Sequence, residues 1–313
     1  MLAIVAPGQG AQRPGLFIPW LDAPGVKEHI EELGKAADLD LLAAGTSWGA
    51  EALQRTQIAQ PLVVAAALVS ARLLHERGVE ADVVAGHSVG EWAAAVLAGV
   101  LTEAEAMRLV AVRGRAMADA CAEARTGMSA VMGGERIEVL NLLAELGLTP
   151  ANNNGAGQIV AGGSIKALDA LAAAAPDGVR VRRLPVAGAF HTFAMRPART
   201  VLSDVVCGAD AELPQIPFIS NRDGGLIDAV YADGGTTADG HEVLQRLVDQ
   251  VAAPVRWDRC TETLLSFGVT ELIELAPAGV LAGLARRSMP GVEVIALDSP
   301  QSVPDRRQLQ VTQ

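Results

Sequence analysis

The sequence of 313 residues has little positive charge and few aromatic side chains. Lys and Arg total 25 against 36 Asp and Glu, which gives a formal net charge of −11, and aromatic residues make up 3% of the chain. A nucleic-acid binder needs a basic face and, for single strands, aromatic rings on which bases stack. This composition therefore excludes a nucleic-acid partner. At first sight it also argues against an acidic protein partner, because like charges repel on approach.

Cysteine pairs, histidine clusters and long apolar runs are also missing. The three cysteines are far apart, and the five histidines show neither HxxxH nor HxH spacing. We therefore expect no disulfide framework and no metal site, and the free thiols suit a reducing compartment. The longest apolar runs, 61–70 and 92–101, are shorter than the roughly 18 residues of a membrane span. The apolar N-terminus lacks the basic region of a signal peptide. We expect a cytoplasmic protein without a membrane partner.

What is present is ample core material, since half of the residues are apolar. Apolar runs at 2–6 and 81–85 predict strands, and stretches at 51–77, 91–97 and 103–124 predict helices. This alternation favours a parallel sheet flanked by helices. The 51–77 helix is expected to be broken or capped near Pro61, because Gln60-Pro61 suits the first turn of a helix.

A different rhythm begins near residue 126, where the predicted element order is β-α-β-β-α-β. That order is typical of a ferredoxin-like unit. We interpret 126–192 as a small subdomain inserted into a large α/β domain made of 1–125 and 193–313. In the second part of the large domain, helices are predicted at 194–206, 241–251, 257–267 and 280–287, and strands at 217–220 and 271–275. The polar segment 299–313 is expected to be a surface tail.

Residues 86–90, Gly-His-Ser-Val-Gly, match the G-x-S-x-G pattern between a predicted strand and a predicted helix. The glycines are needed because the serine sits on a tight turn where flanking side chains would clash. The backbone N–H after the serine and the N-terminus of the following helix can stabilise an oxyanion there. Ser88 is therefore a candidate nucleophile.

Several ordered motifs extend the pattern over nearly the whole chain. They are 7–12 (PGQGAQ), 86–91 (GHSVGE), Arg113-Gly114 followed by Met117, 152–158, 189–191 (AFH), Gln250 before 254–257 (PVRW), and 274–284. Together they resemble the malonyl-CoA:acyl carrier protein transacylases and the acyltransferase domains of fatty acid and polyketide synthases. The resemblance implies an α/β-hydrolase-like large domain with a ferredoxin-like insert. It also implies a monomer that transfers malonyl from malonyl-CoA to the phosphopantetheine thiol of an acyl carrier protein, without a cofactor.

The same resemblance implies the catalytic roles. Ser88 is the nucleophile and His191 its base. The backbone carbonyl of Gln250 holds the imidazole where a carboxylate is usual, and a role for Asp249 or Asp258 has no support. The backbone N–H groups of Gln9 and Val89 are the two expected oxyanion donors. His87, beside the nucleophile, is expected to be structural, and the remaining histidines, His29, His75 and His241, are expected to be solvated.

Other residues bear on the substrate. Arg113, in an otherwise apolar helix, is implied to bind the free carboxylate of malonyl, although an internal ion pair is the alternative. Phe190 before the histidine, and Val89, favour malonyl over methylmalonyl, but one methyl group is worth only about 1–3 kcal/mol. Asn152, Asn154 and Gln60 are candidate pocket residues.

Two rival functions stay open at this point. A serine thioesterase or esterase would use the same serine and histidine with water as acceptor, and a non-catalytic carrier-binding protein would use neither. If the acceptor is an acidic carrier protein, docking must rely on local positive patches. The candidates, which could also be plain solvated charges, are Arg180, Arg182, Arg183, Arg286 and Arg287.

Overall fold

The computed structural model describes residues 1–227 and 240–307. Its strands are β1 (Leu2–Ala6), β2 (Val83–Gly86), β3 (Thr126–Met132), β4 (Thr149–Gly155), β5 (Gln158–Ser164), β6 (Arg180–Arg183), β7 (Phe218–Ile219), β8 (Leu226–Ile227), β9 (Glu271–Glu274) and β10 (Glu293–Ala296). Its α-helices are α1 (Val26–Ala37), α2 (Leu41–Thr46), α3 (Ala50–Leu53), α4 (Thr56–Glu76), α5 (Gly90–Leu97), α6 (Glu103–Glu123), α7 (Arg136–Glu145), α8 (Ile165–Ala173), α9 (Arg196–Val206), α10 (Gly240–Gln250), α11 (Trp257–Ser266) and α12 (Val280–Ser288). Short 3-10 helices lie at Ile18–Trp20, Phe193–Met195 and Pro300–Ser302.

The larger sheet has the order β10-β9-β1-β2-β7-β8 and is parallel except for the β7–β8 pair. Strands β1 and β2 are buried along their whole length, as strands covered by helices on both faces must be. The expected parallel sheet flanked by helices is therefore confirmed. Because β2 and β7 are parallel neighbours, the loops after them meet at the same edge of the sheet.

The smaller sheet is antiparallel, with the order β4-β5-β3-β6. Helices α7 and α8 join its strands, so the element order from β3 to β6 is the predicted β-α-β-β-α-β. This unit has a hydrophobic cluster of its own, which includes Val131, Leu143, Ile159 and Leu168. Strand β4 also bonds to the loop before α11, where the Asn153 N–H donates to the Val255 carbonyl at 2.8 Å.

The expectation about the 51–77 helix is wrong in detail. The break falls at Gln54 and Arg55, between α3 and α4, and Pro61 lies inside α4. A proline there removes one backbone hydrogen bond, but α4 is packed along α6 and buries nearly all of its apolar side chains. That burial keeps the helix continuous through the proline.

Helix α4 also corrects the statement about apolar runs. By length and composition it could cross a membrane, although 78% of its most apolar window is buried inside the protein. A core helix of a globular protein passes the same test. The apolar composition of α4 is therefore explained by its packing against α6, α5 and α1.

Two further expectations need correction. His29 is not solvated: it is 4% exposed, and its Nε2 lies 2.7 Å from the Glu103 carboxylate. The segment from Ser299 to Arg307 is not a loose tail, because Val303 is buried and Arg306 forms an ion pair with Glu271. The last six residues lie outside the described part of the chain.

Candidate active site

The nucleophile turn connects β2 to α5 and places Ser88 at the edge of the large sheet. Ser88 has φ of +55°, a left-handed conformation that costs a non-glycine residue about 1–3 kcal/mol. A Cβ on Gly86 would lie 2.1 Å from the Gly90 carbonyl carbon, and a Cβ on Gly90 would lie 2.3 Å from the Ala6 carbonyl oxygen. The predicted clash of flanking side chains is thus confirmed, and it arises from close backbone approach.

Ser88 and His191 are in direct contact. The Ser88 Oγ lies 2.7 Å from Nε2 of His191, and the other ring nitrogen, Nδ1, lies 2.9 Å from the backbone carbonyl oxygen of Gln250. A carbonyl only accepts hydrogen bonds, so Nδ1 carries the proton and Nε2 is free to accept the one from Ser88. Asp249 and Asp258 form ion pairs with arginines and neither bonds to His191.

The imidazole is held in its neutral form. Burial, followed by the positive charge of Arg113, lowers the pKa of His191 to about 3. A neutral imidazole next to a serine hydroxyl has the protonation state of a general base.

Arg113 projects from α6 toward the same turn and is only 1% exposed. Its Nη1 donates to the Gln60 side-chain oxygen at 2.7 Å, and its Nη2 donates to the Gln250 side-chain oxygen at 3.1 Å and lies 3.4 Å from Ser88 Oγ. Within residues 1–227 and 240–307, no carboxylate lies at ion-pair distance from Arg113.

The charge on Arg113 persists despite its burial. Burial lowers the pKa of the guanidinium to about 10, and the negative charge of Glu91 opposes this shift. Arg113 is therefore cationic at neutral pH, held by neutral amides in place of an anion. A buried guanidinium of this kind is prepared to bind a carboxylate supplied by a ligand.

A cavity of about 90 Å³ opens beside Ser88 and His191. The candidates Gln9, Gln60, Asn152 and Phe190 line it. Apolar side chains line it as well: Met117, Met128, Val160, Leu184 and Val186. The Val89 side chain, in contrast, is fully buried in the main core and does not line the cavity. Any part that Val89 plays in selecting a substrate must come from its backbone.

Asn154 and His87 form a separate contact at the side of the site. The Asn154 Oδ1 lies 3.0 Å from Nε2 of His87, and the His87 ring meets the edge of Trp257 with ring centres 5.7 Å apart. His87 also lines the cavity. Asn154 is thus a support of the nucleophile turn and does not itself line the cavity.

Two buried residues at the turn escaped the sequence interpretation. Asn221 follows β7 and is fully buried, and its side chain accepts from the Ser88 N–H at 2.7 Å. Glu91, in the first turn of α5, is 1% exposed, and its Oε1 accepts from the Asn221 N–H at 2.7 Å. Local sequence pattern gives no signal for Asn221, because only the strand order places β7 beside β2 and brings the ends of these two strands together.

The candidate docking arginines do not form one patch. In the β3–β6 pair, Arg180 lies opposite Met132 and Arg182 lies opposite Ala130. Both arginines are exposed, and they lie on the same face of the small sheet as Met128, which lines the cavity. Arg183 points to the opposite face and bonds to Asp169 at 2.5 Å.

Arg286 and Arg287 lie away from the site. The N-terminus of α12 is at the edge of the sheet where β9 ends, since Glu274 accepts from the N–H groups of Gly279, Leu281 and Ala282. Helix α12 runs from there toward the N-terminal ends of the strands. Near the end of the helix, the Arg286 guanidinium donates to the backbone carbonyl of Val294, close to the start of β10. These two arginines therefore do not flank Ser88.

Among the residues that the structure describes, no three His, Cys, Asp or Glu side chains come together in a group that could hold a metal ion.

The geometry defines a half-buried serine in contact with a buried histidine, beside a buried arginine that has no carboxylate partner among the described residues. Comparison with known proteins gives the class of this site. The acyl transferase domain family matches residues 4–289, and this chain belongs to that family. It is therefore an acyltransferase, as the sequence motifs indicate.

Particular relatives carry more specific names. A protein of Mycobacterium tuberculosis named malonyl CoA-acyl carrier protein transacylase is 46% identical over 303 residues, covering 96% of this chain and 97% of that protein. The crystal structure of MCAT from Mycobacterium tuberculosis matches with a TM-score of 0.90 and 44% identity, covering 99% of each chain. A malonyl-transacylase in complex with its type II polyketide synthase acyl carrier protein matches with a TM-score of 0.87 and 30% identity, covering 96% and 97%.

Proposed function

We propose that this protein transfers a malonyl group from malonyl-CoA to the phosphopantetheine thiol of an acyl carrier protein. The observation that carries the proposal is the position of Arg113, a buried guanidinium 3.4 Å from Ser88 Oγ with no carboxylate partner among the described residues. A thioester bound at Ser88 with a free carboxylate at its far end would supply the missing anion. The names of the relatives agree with this substrate.

In the first half-reaction, His191 accepts the proton of Ser88 and the oxygen attacks the thioester carbonyl of malonyl-CoA. The C–S bond then breaks, His191 returns the proton to the CoA sulfur, and malonyl remains as an ester on Ser88. The Gln250 carbonyl keeps the His191 ring oriented and stabilises its protonated form as a hydrogen-bond acceptor.

The negative charge on the carbonyl oxygen needs donors while it is tetrahedral. We assign this role to the backbone N–H groups of Gln9 and Val89. Neither group donates a hydrogen bond to another of the described residues, so both are available to a ligand. Val89 also precedes the first turn of α5, whose dipole favours negative charge.

In the second half-reaction, the carrier's phosphopantetheine thiol occupies the place that CoA has left. His191 takes the thiol proton and the sulfur attacks the carbonyl of the Ser88 ester. The C–O bond to Ser88 then breaks, His191 returns the proton to the serine oxygen, and malonyl leaves as a thioester of the carrier. This order makes the kinetics ping-pong, and each proton and charge is assigned to a group of the chain, so the scheme uses no cofactor. The solved complex of a related transacylase with its carrier protein supports this acceptor.

Selectivity for malonyl is assigned to two residues. Arg113, whose Nη2 lies 3.4 Å from Ser88 Oγ, favours a diacid ester, and Phe190, in the cavity wall, limits the space for a branch at the α-carbon. One methyl group changes discrimination by only about 1–3 kcal/mol. We therefore expect malonyl-CoA to be preferred over methylmalonyl-CoA by roughly ten- to a hundredfold.

The architecture is assigned in the same proposal. The order β4-β5-β3-β6 with two crossing helices supports a ferredoxin-like subdomain inserted in an α/β-hydrolase-like domain. We further propose a cytoplasmic monomer that serves fatty acid or polyketide synthesis.

A thioesterase or esterase would use the same serine and histidine, with water as the acceptor. The discriminating experiment follows the fate of labelled malonyl-CoA with and without holo carrier protein. The proposal requires label on the carrier and little free malonate. Malonate released at the same rate with and without the carrier would identify a hydrolase.

A further inference from the structure

The Asn221 side chain bridges two backbone groups of the nucleophile turn, the carbonyl of Gly86 and the N–H of Ser88. Its Nδ2 donates to the Gly86 carbonyl oxygen at 2.7 Å, and its Oδ1 accepts from the Ser88 N–H at 2.7 Å. We propose that Asn221 is a positioning residue that holds the backbone of Ser88 in its reactive conformation. This inference rests on the proposed function, because it concerns the rate at which Ser88 is acylated.

The orientation of the Asn221 amide is fixed by its partners. A backbone carbonyl needs a donor and a backbone N–H needs an acceptor, so only one of the two amide orientations satisfies both Gly86 and Ser88. The main chain of Asn221 is held as well: its N–H donates to Glu91 Oε1 at 2.7 Å, and its carbonyl accepts from the Arg256 N–H at 2.8 Å. The residue is fully buried, with every polar group bonded.

The need for such a support comes from the strain at Ser88. Its φ of +55° is unfavourable for a residue with a side chain, and only surrounding structure keeps such a conformation populated. A side chain that ties the Gly86 carbonyl to the Ser88 N–H fixes the backbone that leads into Ser88 and supplies that constraint. The Ser88 Oγ is then held 2.7 Å from His191 Nε2, and this contact does not have to form anew in each turnover.

Asn221 also reaches the substrate-binding arginine through one intermediate. The Gln250 Nε2 lies 3.5 Å from Asn221 Oδ1, and the Gln250 Oε1 accepts from Arg113. Glu91, which holds the Asn221 main chain, belongs to the same buried group. Its conservative replacement Glu91→Gln keeps an oxygen that can accept from the Asn221 N–H.

The experiment compares Asn221→Ala with Thr263→Val in a single-turnover assay of Ser88 malonylation. Thr263, in α11, donates to the carbonyl of Gly224 at 2.7 Å, and Gly224 lies in the loop that carries Asn221. Thr263 does not touch Ser88, so its variant controls for destabilisation of that loop. Rates are normalised to the folded fraction and measured at saturating malonyl-CoA. We expect about a hundredfold lower rate constant in Asn221→Ala with a nearly unchanged Kd for malonyl-CoA. Thr263→Val should lower Tm and keep the rate.

A second variant keeps the inference testable if Asn221→Ala does not fold. In Asn221→Asp, the protonated acid can still donate to Gly86 and accept from Ser88, whereas the carboxylate cannot donate. Its acylation rate should therefore fall steeply as the acid ionises on raising the pH, while Thr263→Val follows the wild-type profile. Wild-type rates in Asn221→Ala, or a wild-type pH profile in Asn221→Asp, would overturn the inference. Failure of the wild-type protein itself to form an ester at Ser88 would overturn the proposed function instead.

Discussion

The guanidinium of Arg113 lies 3.4 Å from the hydroxyl oxygen of Ser88, and both are bonded to neutral groups. A cation in this position lowers the pKa of the neighbouring His191. In the proposed function it also attracts the carboxylate of the substrate to the nucleophile, so that one residue affects both substrate choice and the first half-reaction.

Replacing Arg113 should reduce the use of malonyl-CoA selectively. Loss of a buried charge-assisted pair costs about 2–5 kcal/mol, or roughly 30- to 4,000-fold in kcat/KM. In Arg113→Ala, kcat/KM for malonyl-CoA should fall within that range, and the value for acetyl-CoA should fall far less. Arg108→Ala is the matched control, because Arg108 lies on the same helix in an exposed pair with Glu105. An equal fall for both thioesters would contradict the role of Arg113.

The ionisation of His191 gives a second prediction. Burial and Arg113 lower its pKa to about 3, so the base remains unprotonated as the pH falls from 7 to 5. The acylation rate should lack the acid limb near pH 6.5 that an ordinary histidine produces. In Arg113→Gln the pKa of His191 should rise, because a nearby positive charge has been removed. NMR titration of labelled histidine measures the pKa of His191 in the wild type and in Arg113→Gln. A His191 that titrates near pH 6.5 in the wild type would contradict the account.

Glu91 should make the fold less stable at alkaline pH. Burial raises its pKa from 4.5 to about 8, so between these values the folded state binds a proton that the unfolded chain releases. The contribution of Glu91 to the free energy of unfolding is then greatest below pH 4.5. It declines toward pH 8, by at most about 1.4 kcal/mol per pH unit. Urea unfolding of wild type and Glu91→Gln at pH 5, 6, 7 and 8 tests this. The two free-energy curves should diverge as the pH rises, and parallel curves would refute the shift.

The sequence motifs predicted the side chains that meet at the candidate site better than the residues that support them. Ser88 and His191 meet as expected because the turn with two glycines leaves one direction for the serine. Asn221 was missed because its role depends on β7 lying beside β2, and strand order is not readable from local pattern. The continuity of α4 through Pro61 was missed for a similar reason, since burial against α6 outweighs the local effect of proline.

We expect the carrier protein to dock on the face of the small sheet that carries Met128, Arg180 and Arg182. Reversing the charge of Arg180 and Arg182 to Glu should raise the KM for carrier protein several-fold at low salt, with unchanged malonylation of Ser88. The same reversal at Arg286 and Arg287, at the opposite edge of the large sheet, is the control. Salt-dependent transfer kinetics with holo carrier measure the effect. An unchanged KM in the first variant, or an equal rise in both, would remove this face from the account.

The central claim is that Ser88 carries the malonyl group between the two substrates. It is tested most directly by incubating the protein with labelled malonyl-CoA, quenching with acid, and mapping the label by peptide mass spectrometry. The account predicts one malonyl ester on the peptide that contains Ser88, its loss on adding holo carrier protein, and no label in Ser88→Ala. Label that is absent from the wild type, or equal in Ser88→Ala, would contradict the claim.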